Sequence, residues 1–123
     1  MARILVIDDE PDIRALLLDV LAEEGHEVEA AADGRRGLAA QRARPADLII
    51  TDIFMPEKEG IETIIEVQQE FPAVKIIAMS GGGNRLRSLD YLPAASQFGA
   101  VRTIPKPFDV AMMVALVREV LGT

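Results

Sequence analysis

The sequence contains no cysteine and no tryptophan, and only one histidine and one tyrosine. Without cysteine there is neither a disulfide framework nor a thiolate metal site, so any bound metal must be held by oxygen ligands or by the single histidine. Basic residues are also the minority. Lys and Arg number 13 against 20 Asp and Glu, a formal net charge of −7, and this opposes direct nucleic-acid binding, which needs a basic surface. No apolar run is long enough to span a bilayer. The opening Met-Ala-Arg-Ile-Leu-Val-Ile runs straight into a strand-like segment, without the basic region, apolar core and small-residue cleavage site of a secretory signal. A cytoplasmic protein with no membrane contact is the resulting expectation. Repeats and linker-like stretches are absent too, so residues 1–123 are expected to form one domain, long enough for a real core.

Of the residues present, half are hydrophobic and 27% charged, the profile of a globular chain. The most informative stretch is Asp47 to Pro56. Leu48, Ile49 and Ile50 are consecutive and apolar, as in a strand covered on both faces, so Asp52 falls at the carboxyl end of a central strand. A buried carboxylate there calls for a cation or hydrogen bonds, although an Asp that merely forms a turn or cap is an equally available reading.

The same ambiguity attends the first strand, Arg3 to Ile7, which ends in Asp8-Asp9-Glu10-Pro11. Asp9 could cap the next helix, with Pro11 in its first turn and Asp12 favoured by the dipole; Asp8 is left without such a role. Ile13, Leu16, Leu17, Val20 and Leu21 form the expected buried face of that helix, and Gly25 stops it. His26 reads as a solvated turn residue. Glu27 to Ala31 has the weak alternation of an edge strand, and Asp33-Gly34 turns into a short helix whose Arg35, Arg36, Arg42 and Arg44 fit a solvated face as well as a binding patch. Pro45 ends it.

A third helix carries Ile61, Ile64 and Ile65 and closes at Phe71-Pro72. Val74 to Met79 is the fourth strand, with Ser80 at its end. Gly81-Gly82-Gly83 follows and is not a phosphate-cradling P-loop, because no Gly-Lys-Ser/Thr comes at the required spacing. A helix is expected over Tyr91 to Phe98, then a fifth strand over Val101 to Ile104. Pro105-Lys106-Pro107 precedes a last helix with a core stripe of Met113, Leu116, Val117, Val120 and Leu121; Met112 and Met113 are both read as core filling.

Strands alternating with helices imply a five-stranded parallel sheet in a doubly wound three-layer α/β sandwich. Ligands in such sheets bind outside the carboxyl ends of the strands where strand order reverses. If the first strand lies between the second and third, Asp8, Asp9 and Asp52 meet at that point, with Ser80 and Lys106 arriving from the ends of strands four and five. Three clustered carboxylates repel one another, and a hard cation such as Mg2+ relieves this best. Lys106 and Ser80 would then equip the site to stabilise a phosphoryl group on Asp52.

Asp8-Asp9, Asp52-Ile53-Phe54-Met55-Pro56, Ser80-Gly81, Gly99-Ala100 and Lys106-Pro107-Phe108 together resemble the receiver domain of two-component response regulators, over essentially the whole chain and closest in kind to single-domain, chemotaxis-type regulators. The resemblance implies a flavodoxin-like strand order 2-1-3-4-5. It implies that Asp52 is the phosphoacceptor, that Asp9, Asp52 and the backbone carbonyl of Phe54 ligate Mg2+ with Asp8 acting mostly through water, and that Ser80 and Lys106 engage the phosphoryl group. It also implies a Lys106-Pro107 bond that is often cis. Two departures stand out. The fifth-strand position that is usually aromatic is Thr103, and the stretch from Ser80 to Gly99 is several residues longer than usual.

The expected activity is that of a stand-alone regulator without an output domain. It is phosphorylated on Asp52 by a histidine kinase or histidine phosphotransfer protein, and it signals to a downstream protein through the face formed by the 91–98 helix, the fifth strand and the last helix. It would catalyse its own phosphorylation and a slow dephosphorylation, since neither Phe54 nor Gly82 offers a polar side chain to orient water, and would not be an enzyme acting on other substrates. With Thr103 too small for a ring flip, Ser80 and the Gly81, Gly82, Gly83 run would carry the switch, with Tyr91 as its reporter. A phosphorylation-independent scaffold and a Mg-dependent small-molecule phosphatase are the alternatives. The first predicts loss of an acid or the lysine, and the second a further acid two residues after the nucleophile, where Phe54 stands.

Overall fold

Each of the continuous apolar strands is divided, residue by residue, between two cores. In the computed structural model, which describes residues 2–53, 60–80 and 101–122, the elements are β1 (Arg3–Ile7), α1 (Pro11–Glu23), β2 (Glu27–Ala31), α2 (Gly34–Ala43), β3 (Leu48–Asp52), α3 (Gly60–Glu70), β4 (Lys75–Ser80), β5 (Arg102–Pro105) and α4 (Val110–Leu121). Successive side chains of a strand point to opposite faces. Leu5, Ile7, Ile49, Ile76 and Ala78 therefore pack with Leu38 of α2 and Ile64 and Val67 of α3. Ile4, Val6, Leu48, Ile50, Ile77 and Met79 pack on the other face with Leu17 and Leu21 of α1 and Met113, Val117 and Val120 of α4. Full burial of such side chains contributes about 1.5–3 kcal/mol each, so covering both faces is what makes runs like Leu48-Ile49-Ile50 stable as strand.

The sheet order is β2-β1-β3-β4-β5, and every pairing is parallel. This is the expected doubly wound, flavodoxin-like arrangement, with β1 between β2 and β3 and the reversal of strand order between β1 and β3. Asp33 caps α2 by accepting from the Arg36 N–H at 2.8 Å, and Asp109 caps α4 by accepting from Ala111 and Met112. Helix α2 lies so close to β1 that a Cβ on Gly37 would stand 2.3 Å from Ile7 Cδ1.

Four local expectations are corrected. The N-cap of α1 is Glu10 and no side chain caps it, so Asp9 is not a helix cap. Leu16 is 37% exposed, because it lies about 100° round the axis from Leu17, which with Leu21 defines the buried stripe. Met112 is 59% exposed for the same reason, while Met113 does fill the core. Strand β5 starts at Arg102, one residue later than expected. The expected helix over Tyr91 to Phe98 lies outside the described residues.

Candidate functional site

Strand β1 delivers Asp8 immediately after its last residue, and the turn that follows fixes it. The Asp8 N–H donates to the Ala31 carbonyl at 3.1 Å, its Oδ1 accepts from the Glu10 N–H at 2.8 Å, and its carbonyl accepts from Arg14 Nη1 at 2.8 Å. Asp52 is the last residue of β3. Asp8 is 0% and Asp52 2% exposed, whereas Asp9 faces solvent. One carboxylate oxygen from each of Asp8, Asp9 and Asp52 lies within 4.8 Å of the others.

Lys106, the first residue after β5, enters this cluster from the side. Its Nζ is 2.7 Å from Asp8 Oδ2, 3.2 Å from Asp52 Oδ2 and 3.7 Å from Glu10 Oε2, and its side chain is 7% exposed. Burial by itself lowers the pKa of that ammonium, but the close ion pair with Asp8 and the attraction and hydrogen bonding of Asp52 outweigh burial and hold it above its ordinary value. The Lys106-Pro107 peptide bond is cis.

The donor set fits a hard divalent cation. Among the described residues, three carboxylates converge with one ammonium, that of Lys106, in ion-pair range of Asp8 and Asp52. Asp8 Oδ2 is buried and makes no aligned hydrogen bond, the lysine contact being an ion pair. An oxygen-only set of this kind, open to solvent on the Asp9 side, matches the preference of magnesium for a few carboxylates completed by water.

The structure thus brings together Asp8, Asp9, Asp52 and Lys106 as expected. Ser80 ends β4 with its backbone beside Pro105, and Thr103 sits half-buried in β5 opposite Ala78. Phe54, Gly81, Gly82, Gly83 and Tyr91 lie outside the described residues, and with them the carbonyl ligand and the glycine switch. Two members of the site's surroundings were missed in the sequence: Glu10, as a further anion near Lys106, and Arg14, whose grip on Asp8 spans six residues. Pro11 starting a helix was the available signal for the latter, since it brings position 14 back over the turn. His26 also differs from expectation. It is half-buried, and its Nδ1 accepts from the Ala2 N–H at 3.2 Å. It lines a cleft of about 600 Å³ with Asp47, Phe71, Lys75 and Leu121 at the amino ends of the strands, the far edge of the sheet from the acidic cluster.

Residues 4–118 match the family described as the response regulator receiver domain. The chain belongs to that family. It is 34% identical over 122 residues to the nitrogen assimilation regulatory protein NtrX of Azorhizobium caulinodans, covering 98% of this chain and 26% of NtrX. It is 32% identical to the chemotaxis protein CheY of Thermotoga maritima, covering 96% of both. Among solved structures, the receiver domain of NtrX from Brucella abortus superposes with a TM-score of 0.88 at 33% identity, covering 98% of each chain. The chain therefore spans about a quarter of the length of NtrX and nearly all of CheY. Receivers work in two-component systems with histidine kinases and downstream targets, and they generally bind Mg2+ through acidic residues, which here are present as a cluster.

Proposed function

We propose that this receiver accepts a phosphoryl group on Asp52 from a histidine kinase or histidine phosphotransfer protein and that the modification switches its binding to a partner protein. The observation that carries the reading is the convergence of Asp8, Asp9 and Asp52 on one buried ammonium, Lys106, at the strand-order reversal. An Asp52 carboxylate oxygen attacks phosphorus; an O–P bond forms as the P–N bond to the donor histidine breaks, and the imidazole departs after taking a proton. Lys106 Nζ, already 3.2 Å from Asp52 Oδ2, stabilises the negative charge that the phosphoryl oxygens bring into a buried site. Ser80, at the end of β4, is the proposed neutral donor to the same oxygens. Asp8, Asp9, Asp52 and the Phe54 carbonyl are the proposed holders of Mg2+, which when bound neutralises charge on the transferring group. With Phe54 two residues after the acceptor, the site lacks the second acid of phosphatases resembling haloacid dehalogenases. The protein is therefore proposed to act on its own aspartate alone. The partner surface is proposed on β5 and α4, together with the segment before β5, and the location to be cytoplasmic, in keeping with the lack, among the described residues, of any helix long and apolar enough to cross a membrane.

The decisive experiment is incubation with acetyl phosphate and Mg2+, and with purified histidine kinases, read by intact mass. The parent should gain one phosphoryl group, and Asp52→Asn should fold and gain none. Labelling of Asp52→Asn at the parent's stoichiometry would overturn the assignment.

A further inference from the structure

Asp8 has four polar groups, and three of them are tied down. Its N–H is held by the Ala31 carbonyl, its Oδ1 by the Glu10 N–H, and its carbonyl by the guanidinium of Arg14. The fourth, Oδ2, is buried and faces the site, where it forms an ion pair with Lys106 Nζ at 2.7 Å. We propose that Arg14 is a positioning residue for the divalent cation: by holding the Asp8 carbonyl it fixes the Asp8–Asp9 peptide and so aims both carboxylates into the site. This rests on the reading of Asp8, Asp9 and Asp52 as cation ligands.

Three features single out Arg14. The Asp8 carbonyl belongs to the peptide plane that also carries the Asp9 nitrogen, so anchoring it sets the direction in which Asp9 leaves the turn; Asp9 is exposed and not used as a cap. The guanidinium is itself mounted on a rigid element, because the Arg14 N–H donates to the Glu10 carbonyl at 3.2 Å in the first turn of α1. Among the described residues, moreover, no carboxylate lies within ion-pair distance of Arg14, although the other arginines with a side-chain hydrogen-bond partner, such as Arg3, Arg42 and Arg118, pair with glutamates. A half-buried arginine whose Nη1 donates to a backbone carbonyl while no carboxylate pairs with it among the described residues is a geometric device. Groups that orient metal ligands from behind typically alter metal affinity by about 10–100-fold when removed.

The test compares Mg2+ binding, by calorimetry and by the amide NMR shifts of residues 8, 9 and 52, in the parent, Arg14→Met, Arg14→Lys and Arg118→Met. Arg118→Met removes the same charge at the Glu24 pair, away from the site. Arg14→Met should weaken Mg2+ binding about tenfold, Arg14→Lys less, since it keeps the charge without the fork, and Arg118→Met less than twofold. Urea unfolding without Mg2+ separates position from stability, because a helix–strand staple with no role toward the cation would lower the unfolding midpoint while leaving the Mg2+ affinity of Arg14→Met equal to that of Arg118→Met. That result overturns the proposal for Arg14 and leaves the proposed function standing. A parent that shows no saturable Mg2+ binding overturns both.

Discussion

The two ends of the sheet carry similar residues put to opposite use. At the amino ends, Arg3 forms ion pairs with Glu27 at 3.1 Å and with Glu29, and Arg44 pairs with Glu27 at 2.8 Å. Two cations meet two carboxylates, and the glutamates are half in solvent. At the carboxyl ends, one ammonium, that of Lys106, is among the described residues the cation within ion-pair distance of Asp8, Asp52 and Glu10, and the two aspartates are buried. A balanced, hydrated network is satisfied as it stands and contributes little to stability. A buried cluster with surplus negative charge is held in a costly state that a cation or a phosphoryl–cation pair relieves. Charge balance and burial, more than residue type, separate the end that holds the fold from the end that does chemistry.

The largest effect should come from removing the ammonium that pairs with the buried aspartates. Lys106→Met takes the ammonium away from the buried Asp8 and Asp52 carboxylates and should lower the metal-free unfolding free energy by about 3 kcal/mol, with millimolar Mg2+ restoring part of the loss in urea titrations. Gly37→Ala, which changes no charge, sets the scale for a packing fault. The added Cβ would press Ile7 Cδ1 and Cγ1 in a filled core, lowering stability by about 2 kcal/mol, and Mg2+ should recover none of it. Asp52→Asn removes one of the like charges and should raise metal-free stability by about 1 kcal/mol, while abolishing the stabilisation by Mg2+ seen in the parent. A fall in stability would mean that Lys106 already balances the cluster.

The smallest effect belongs to the amino end. Hydrogen bonding from Arg3 holds the Glu27 carboxyl below its ordinary value of 4.5 against opposing desolvation, with a smaller contribution from Arg44. A depressed carboxyl contributes stability that is present above the unfolded-state value and is lost as pH falls through the folded one. Glu27→Gln should therefore lower stability slightly at pH 7 and flatten the acid limb below about pH 4.5 by the same small amount, so that variant and parent converge in acid, as measured by thermal unfolding across pH. A large effect at neutral pH would erase the contrast between the two ends.

Periodicity and punctuation made most of the fold legible. The apolar run 48–50, the turns at Asp33-Gly34 and Pro45, and the alternation of strand and helix were enough for a parallel doubly wound sheet, because covered strands must be apolar throughout and parallel neighbours need helical crossovers. The acids at positions 8, 9 and 52 and the lysine at 106 were legible as a site for the same reason, since the fold places strand ends together. Less legible were the contacts that depend on side-chain direction. Leu16 and Met112 belong to apolar helices yet face outward, because the apolar stripe is wider than the surface the sheet covers. Gln41 was unremarked, but it is buried and accepts a hydrogen bond from the Ala46 N–H at 2.8 Å, closing the turn before β3.

The sequence by itself determined which residues are acidic, which segments are strand or helix and hence that three carboxylates and a lysine share one edge of a sheet. Only the tertiary structure decided how those charges are balanced: that Lys106 is shared between Asp8 Oδ2 and Asp52, that Arg14 grips the Asp8 carbonyl, and that His26 is tied to Ala2. Spacing along the chain decides which end of a strand a residue occupies. The distances that set ion pairing and desolvation arise only when separate elements pack, and these are what turn a row of acids into a site.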